Sequence, residues 1–185
     1  KLAAGLHVVL APGIYALEAS LELARPGQTL LGLGLATLVA AAGKPCVAVK
    51  AGVGGVRVAG ILLQAGALPT TALLQWGTAG ATAAASAAAG TAAVEPGLIS
   101  DVFARVGGPD AAPVQVETMI DIAADAGAVV GDNLWLWRAD HDVGGLVKGG
   151  RNPCKNGLRV AADDATMYGL AIEHTTEDLL LWSGE

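Results

Sequence analysis

Two tryptophans and a run of charged residues stand together near the middle of the chain. Trp135 and Trp137 alternate with leucines in the segment 134–137. The charged residues that follow directly are Arg138, Asp140, His141 and Asp142. Alternate residues of a β-strand point to opposite faces, so the two indoles are predicted to share one face. Aromatic rings beside carboxylates, a guanidinium and an imidazole are suited to gripping a sugar, whose ring has an apolar face and polar hydroxyls.

A second pair of chemistry-bearing residues, Glu173 and His174, ends a similar segment. Two carboxylates on either side of a glycosidic bond can act as acid and base. Glu173 is therefore predicted as one catalytic carboxylate, with Asp140 or Asp142 as its partner. The residues predicted to contact a substrate are Trp135, Trp137, Arg138, His141, His174 and Arg105. The alternatives are structural: a solvated Glu173, aspartates that form turns, and histidines that are hydrogen-bonded within the fold.

The elements that position these residues follow from an internal repeat. The segments 47–64, 120–137 and 158–173 align, and 98–105 is a shorter relative. Each reads as a strand, a small or acidic turn, a second strand, a bend at Gly, Asp or Asn, and a third strand. A unit of this size cannot bury its own apolar face, but stacked copies bury a continuous core. The sequence therefore predicts an all-β protein, a single-stranded right-handed parallel β-helix of the pectin-lyase type.

Stacking the repeats predicts which side chains share a row. If Leu63, Ala104, Leu136 and Ile172 point inward, the next residues point outward; these are Gln64, Arg105, Trp137 and Glu173. The same alignment places Arg138 and His174 one step further along. An open sheet carrying this outward row, with the charged cluster at its edge, is the predicted site.

Composition narrows the class of partner. Hydrophobic residues make up 53% of the chain and the mean hydropathy is +0.53, but Gly, Pro or charged residues interrupt every apolar run before membrane-spanning length. The net charge is −6 and no Lys/Arg cluster occurs, which argues against nucleic acid and anionic membranes. Cys46 and Cys154 are predicted as small buried residues, with a bridge as the alternative. His7, His141 and His174 share no metal-ligand spacing, so no zinc site is expected.

Residues 1–185 are predicted to form one β-helix domain, a fragment of a longer chain. The segment 78–94 is almost pure Ala, Gly, Thr and Ser, and is interpreted as a low-complexity insertion without chemistry. The glycine-rich segment 143–155 follows the charged cluster and is predicted to form a wall beside the site.

Several segments resemble known families. Residues 9–15 and 30–34 are similar to the opening of pectate-lyase-superfamily β-helices. Residues 100–108, 134–141, 157–160, 169–174 and 180–185 resemble a microbial group of that fold that is similar to laminarinase-like β-1,3-glucanases. The resemblance implies a right-handed β-helix that handles carbohydrate. The alanine-rich insertion and the segment 152–155 depart from the pattern of this group.

These observations lead to one leading function and two alternatives. The leading function is a glycoside hydrolase acting on a neutral glucan such as a β-1,3-glucan. The alternatives are a calcium-assisted polysaccharide lyase, with Arg138 as base and Asp140 and Asp142 as ion ligands, and a non-enzymatic glycan-binding or structural β-helix. Apart from that calcium option no cofactor is expected. The expected partner is a polysaccharide, the expected location is extracellular or at the cell surface, and the end coils offer a route to self-association.

Overall fold

The computed structural model describes residues 1–82, 95–109, 112–143 and 147–185. Within these ranges the chain forms thirteen β-strands and two short 3₁₀ turns, at Leu2–Ala4 and Lys148–Gly150. The strands are β1 (Val8–Leu10), β2 (Ile14–Ala16), β3 (Leu21–Leu23), β4 (Thr29–Ala40), β5 (Val47–Val49), β6 (Arg57–Ala65), β7 (Thr70–Trp76), β8 (Gly97–Val106), β9 (Val116–Ile122), β10 (Val129–Arg138), β11 (Cys154–Val160), β12 (Thr166–Glu173) and β13 (Leu180–Trp182). No helix in the described ranges has the length and apolarity needed to cross a membrane.

The strands form two sheets in which every pairing is parallel. The front sheet has the order β1-β4-β6-β8-β10-β12, with β2 also paired to β4. The back sheet has the order β13-β11-β9-β7-β5-β3. From β4 onward, consecutive strands alternate between the two sheets, so each coil of the chain adds one strand to each. The prediction of an all-β fold with parallel strands is confirmed.

The front-sheet strands β6, β8, β10 and β12 each bend at one residue whose backbone is left-handed. These residues are Gly60, Asp101, Asn133 and Gly169, with φ between 51° and 67°. They stack on one another, because the residues before and after them pair in register from β6 to β12. Glycine adopts this conformation without strain, and Asp and Asn tolerate it better than other residues. The Asn133 amide also donates to Asp101 Oδ1 at 2.7 Å. The bend predicted at Gly, Asp or Asn is therefore confirmed.

The core lies between the two sheets and consists of ladders of aliphatic side chains. The row Leu63, Ala104, Leu136 and Ile172 is in register, as predicted. Leu63, Ala104 and Leu136 are at most 2% exposed, whereas Ile172 in the last coil is only partly covered. Each fully buried Leu or Ile contributes about 1.5–3 kcal/mol relative to exposure, so the stack as a whole supplies the driving force that one coil lacks.

The two cysteines are buried in different coils and are not bridged. The Cys46 thiol donates to Leu38 O and the Cys154 thiol to Asn156 O, each at 3.3 Å. Burial raises the pKa of both thiols to about 12. They therefore behave as small buried residues and not as nucleophiles, as the sequence predicted.

The turns that leave the front sheet carry the candidate site. Residues 139–153 connect β10 to β11, and residues 174–179 connect β12 to β13. Of the predicted alanine-rich insertion, residues 83–94 lie outside the described residues. So do residues 144–146 of the glycine-rich segment.

The stacking of left-handed residues in the front sheet predicts that substitutions of two glycines lower the free energy of unfolding by different amounts. Gly60 and Gly52 have almost the same φ, +67° and +66°. A Cβ at Gly60 would lie 2.5 Å from the Gly32 carbonyl oxygen in the neighbouring coil, whereas a Cβ at Gly52 meets nothing within 4 Å. Gly52→Ala should lower the free energy of unfolding by about 1–2 kcal/mol from backbone strain alone. Gly60→Ala should cost clearly more, because the backbones of two coils must separate. Equal losses in equilibrium denaturant unfolding would contradict the stacking of coils at this position.

Candidate functional site

The tryptophan pair lies on the outer face of the front sheet. In β10, Leu134 and Leu136 point into the core and are 1% and 0% exposed. Trp135 and Trp137 point outward, and Trp135 is 41% exposed. Their ring centroids are 5.4 Å apart with an angle of 23° between the planes, so the indoles are stacked. The alternation predicted for this strand is confirmed.

A third ring extends this aromatic surface. The His141 imidazole lies 4.8 Å from the Trp137 ring, centroid to centroid, at 45°. His141 Nδ1 is 2.8 Å from Asp140 Oδ1, so the ring is held on both sides. Trp135, Trp137 and His141 therefore form a row of rings that ends beside the Asp140 carboxylate.

Glu173 reaches the same surface from the neighbouring strand β12. Its backbone pairs with Trp137, and its Oε1 accepts a hydrogen bond of 2.8 Å from Trp135 Nε1. The carboxylate is thus fixed beside the indole rings while its side chain stays 42% exposed. A substrate lying on Trp135 would meet this carboxylate at its edge.

The structure brings Asp140 and Glu173 to the two sides of one imidazole. His174 Nε2 is 3.8 Å from Asp140 Oδ2, and His174 Nδ1 is 3.8 Å from Glu173 Oε2. These separations are too long for hydrogen bonds, but they are short enough for a charged imidazole to stabilise both carboxylates. One residue at the end of a strand, Glu173, and two from turns, Asp140 and His174, therefore form one ionisable cluster.

The pKa of Asp140 lies below its ordinary value. The largest cause is the hydrogen bond with His141, and the His174 charge and the Trp137 side chain act in the same direction. Partial desolvation opposes them without reversing the shift. The surroundings of Asp140 therefore favour the charged form of its carboxyl group.

Arg138 does not lie where the sequence placed it. It was expected to contact substrate, or to act as the base of a lyase, but it is only 5% exposed. Its Nε donates to Asn152 O at 2.9 Å, and its Nη1 donates to His174 O at 2.8 Å. Its Nη2 donates to Val147 O at 3.0 Å and to Arg151 O at 2.6 Å. The expectation was wrong because Trp137 points outward, so the next residue along the strand points inward.

The buried guanidinium instead positions the two turns that carry the ionisable cluster. It joins the segment 147–152 to His174, whose backbone is left-handed with φ 62°. A left-handed backbone is uncommon in residues other than glycine. The hydrogen bond from Arg138 to the His174 carbonyl helps to hold His174 in this conformation. Burial lowers the pKa of Arg138, and an arginine side chain stays charged in proteins.

The outward row predicted from the repeats is confirmed in its register. Gln64 pairs with Arg105, Arg105 with Trp137, and Trp137 with Glu173. Arg105 donates to Gln64 Oε1 from both Nε, at 3.2 Å, and Nη2, at 2.7 Å. Arg105 therefore lies beside the indoles with a fixed guanidinium plane, where it can contact a ligand.

Asp142 belongs to a turn. Its φ is 76°, and its Oδ1 accepts the N–H of Val143 at 2.9 Å. This geometry corresponds to the turn role that was the alternative for this residue. The arrangement favours Asp140 over Asp142 as the carboxylate that works with Glu173.

Sequence reasoning missed an apolar trough beside the tryptophans. Its lining includes Leu35, Leu62, Phe103, Trp135 and Trp137, and it encloses about 260 Å³ while remaining open to solvent. Period-2 alternation in β6 and β8 was the available signal, because Leu62 and Phe103 have the parity of Trp135. We call this feature the apolar trough.

The described ranges hold no group of three His, Cys, Asp or Glu residues arranged to bind a metal ion. Two turn aspartates instead accept backbone N–H groups. Asp125 Oδ1 accepts from Thr78 at 2.8 Å, and Asp163 Oδ1 accepts from Glu185 at 3.0 Å. The calcium option, which the sequence analysis placed at Asp140 and Asp142, stays a prediction.

Loss of the buried guanidinium should be far more costly than loss of a surface one. Arg138→Met leaves carbonyls of two turns without donors, and each buried unsatisfied group costs about 1–3 kcal/mol. We expect a loss of about 3 kcal/mol or more in the free energy of unfolding, measured by denaturant titration. Arg57→Met is the control, because Arg57 forms an exposed pair with Glu95 that is worth about 1 kcal/mol or less. Similar losses in the two variants would contradict the role given to Arg138.

His141→Ala should raise the pKa of Asp140 toward its ordinary value. The substitution removes the hydrogen bond that contributes most to the lowered pKa, so the charged carboxylate loses its main support. Carbon-13 NMR titration of the side-chain carboxyls measures the change. His7→Ala, at a histidine that accepts from Thr29 N in the first coils, should leave the Asp140 titration unchanged. An unaltered Asp140 titration in His141→Ala would show that the contact does not hold in solution.

Known proteins are similar to this chain in both sequence and architecture. An exo-beta-1,3-glucanase of Streptomyces sp. (strain SirexAA-E / ActE) is 36% identical over 182 residues, which is 98% of this chain but 28% of that protein. The structure of sacteLam55A from Streptomyces sp. SirexAA-E matches with a TM-score of 0.84 at 34% identity, over 99% of this chain and 31% of that one. A variant of sacteLam55A in complex with glucose matches with a TM-score of 0.85 at 33% identity, over 99% and 31% of the two chains.

This chain spans less than a third of the length of these relatives. The family described as the LAM55 pectate lyase-like domain matches over residues 1–185. The stacked parallel coils, the whole-length match and the shared sequence agree, and the chain belongs to the LAM55 pectate lyase-like domain family.

Proposed function

We propose that this chain takes part in the hydrolysis of a β-1,3-glucan. The observation that carries the proposal is the placement of Asp140 and Glu173 on the two sides of His174, next to an open aromatic surface. A relative covering 98% of the chain is named an exo-beta-1,3-glucanase, and a structural relative binds glucose. A net charge of −6 also suits a neutral glucan better than a polyuronate.

Trp135 and Trp137 form the binding surface in this proposal. A sugar ring stacks its apolar face on an indole, while polar groups at the rim hold its hydroxyls. Arg105, His141 and His174 stand at that rim. Trp135 has a second role, because its N–H holds the Glu173 carboxylate in place.

The two carboxylates take different roles. Asp140, whose pKa is lowered, is charged and acts as the base or the nucleophile at the sugar carbon. Glu173 then transfers the proton to the leaving oxygen. His174 Nδ1 lies 3.8 Å from Glu173 Oε2, so the imidazole is placed to return a proton to that carboxylate through small movements.

The lyase alternative has little support. It requires Arg138 as a base at the substrate, but the guanidinium is buried and bound to four backbone carbonyls. Asp140 and Asp142, its proposed ion ligands, make a contact with His141 and a turn contact with Val143. A purely structural β-helix would pack Trp137 and Glu173 against a neighbour, whereas here Trp137 lines an open trough and the Glu173 side chain is 42% exposed.

Three further properties are proposals of the same kind. We infer that the coils wind in the right-handed sense, as parallel strands joined by crossovers nearly always do. Extracellular or cell-surface location follows from a polysaccharide substrate. Self-association through the end coils stays a proposal of the same kind, because the outer strands of a sheet have unpaired backbone groups.

Removal of either carboxylate should abolish most of the activity. We expect Glu173→Gln and Asp140→Asn to lower kcat on a β-1,3-glucan by about 10²–10⁴-fold, since each removes a proton-transfer or charge role. Reducing-end release from a panel of β-glucans and polyuronates, with the full-length protein, measures this. Glu177→Gln is the matched control, because Glu177 is an exposed carboxylate in the same turn as His174.

The panel also separates the alternatives. An unsaturated product that absorbs in the ultraviolet would identify a lyase. Retained glycan binding without cleavage of any substrate would overturn the hydrolase proposal in favour of a binding or structural protein. Cleavage that persists in both carboxylate variants would place the catalytic groups elsewhere in the full-length protein.

A further inference from the structure

A polar recess lies on the outer face of the back sheet, so the core separates it from the tryptophans. It encloses about 380 Å³ and is open to solvent, and strands β7, β9 and β11 supply most of its lining. The lining includes Gln75, Thr118, Asp121, Asn156 and Arg159, and we call the recess the back groove. None of the residues of the ionisable cluster borders it. The back groove is therefore a separate feature of the surface.

One wall of the back groove is a row of side chains in register. Gln75 of β7 pairs with Asp121 of β9, and Asp121 pairs with Arg159 of β11. Leu74 and Trp76, on either side of Gln75, point into the core and are 0% exposed, so the row points outward. Gln75 and Asp121 are nevertheless only 8% and 4% exposed. The recess therefore removes outward polar groups from water.

The Gln75 amide carries a buried donor without a partner. Its Nε2 has no hydrogen-bond acceptor within the part of the chain that the structure describes. Such a group costs free energy, because the hydrogen bonds that it made to water are lost on folding and are not replaced. The last side-chain torsion of glutamine is soft, so a small rotation presents this donor to a ligand in the groove that Gln75 lines.

Beside Gln75 stands a guanidinium–carboxylate pair in a fixed geometry. Arg159 donates from Nε to Asp121 Oδ1 and from Nη2 to Asp121 Oδ2, each at 2.7 Å. The Asp121 side chain is 6% exposed, whereas that of Arg159 is 40% exposed. This pairing does not use Nη1 of Arg159. A guanidinium held in this way can donate to a ligand with little further loss of side-chain freedom.

The charges of the back groove determine which class of ligand fits. Two basic residues, Lys155 and Arg159, and three acidic ones, Glu117, Asp121 and Glu177, line it. Both basic groups already pair with carboxylates, at 2.9 Å and 2.7 Å, so an anion meets no free positive charge. A cationic group offers no acceptor to the unpartnered amide. Neutral molecules rich in hydroxyl groups, which donate and accept at once, fit this set of side chains.

We propose that the back groove binds a neutral polysaccharide at a site separate from the reaction. Sugar oxygens accept hydrogen bonds from Gln75 Nε2 and Arg159 Nη1, and sugar hydroxyls donate to the remaining lone pairs of Asp121. The lining reaches from β7 to Leu181 of β13. These strands are three steps apart in the sheet, or about 14 Å at the usual spacing, which leaves room for a short stretch of polymer.

This inference goes beyond the proposed function and does not depend on it. A protein that contacts one polymer through two sites binds more tightly overall, because the second contact forms at a high effective concentration. A short soluble substrate reaches only one of the two faces and gains nothing. The back groove should therefore act on adsorption to an insoluble polysaccharide and not on the turnover of a soluble oligosaccharide.

Adsorption of the full-length protein to insoluble β-1,3-glucan, measured on ice by depletion of the supernatant, tests the site. Gln75→Leu should weaken adsorption by about fivefold, the size expected for one lost hydrogen bond. Its melting temperature should not fall, because the substitution removes an unpartnered donor. Arg159→Lys keeps the charge but loses the planar fork, and it should weaken adsorption by a similar factor. Both variants should keep kcat and KM on a soluble β-1,3-linked trisaccharide.

Gln28→Leu is the matched control, because Gln28 is a 1% exposed glutamine whose amide is hydrogen-bonded. Its Oε1 accepts from two backbone N–H groups, at 2.8 Å and 2.9 Å, and its Nε2 donates to Leu2 O at 3.0 Å. This variant should melt at a lower temperature and leave the adsorption of the folded protein unchanged. Stability and binding are thus affected separately in the two glutamine variants.

Three results would overturn the site: unchanged adsorption in both groove variants, a fall in the melting temperature of Gln75→Leu that accompanies its loss of adsorption, or a wild-type protein that adsorbs to no polysaccharide. Adsorption to a polyuronate gel that depends on Arg159 would overturn the neutral ligand. Adsorption that depends on Gln75 and Arg159, without cleavage of any glucan, would overturn the hydrolase proposal and support the site.

Discussion

The parallel register of the front sheet is the constraint on which the rest of this structure depends. Backbone hydrogen bonds between adjacent coils fix which side chains stand above one another, and the left-handed column Gly60, Asp101, Asn133 and Gly169 keeps every strand bent at the same place. A slip of one residue in a single coil would exchange its inward and outward side chains. The core, the aromatic surface and the apolar trough are therefore consequences of one register.

A buried residue, Arg138, holds the candidate site in place. The exposed residues Asp140, Glu173 and His174 lie on or next to turns, which are ordinarily the most mobile parts of a fold. Here the buried Arg138 binds carbonyls from both turns, so the spacing of the cluster is set by a group that no ligand touches. Its donors are directional and its charge is distributed over backbone dipoles, which limits the cost of burying it. The interior of the coil thus determines the geometry of its surface.

Much of this arrangement could be predicted from the periodicity of the sequence. The prediction failed where the chemical type of a residue was given more weight than its position in the strand. The inward row through Leu136 and the outward row through Trp137 follow from repeats and from strand parity, and both are found. The same parity rule directs Arg138 inward, but its place in a charged cluster suggested the surface. The outward residues Leu62 and Phe103, which pair between β6 and β8, were overlooked because Leu and Phe are residue types that ordinarily lie in a core. The meeting of Asp140 with Glu173 across His174 depends on turn conformations, including a left-handed histidine, that no pattern in the sequence encodes.

The two carboxylates of the cluster, Asp140 and Glu173, lie on opposite sides of the His174 imidazole. Two bare carboxylates near one another raise the pKa of at least one of them, which would leave a protonated pair. The two carboxylates have unequal partners, because Asp140 has a direct hydrogen bond with His141 whereas Glu173 receives an indole N–H, and His174 lies 3.8 Å from each of them. Unequal surroundings are what acid–base catalysis by paired carboxylates requires, since one group must be charged while the other moves a proton. The aromatic surface therefore does more than hold a sugar. It also makes the surroundings of Asp140 different from those of Glu173, through Trp135, Trp137 and His141, and the proposed chemistry relies on that difference.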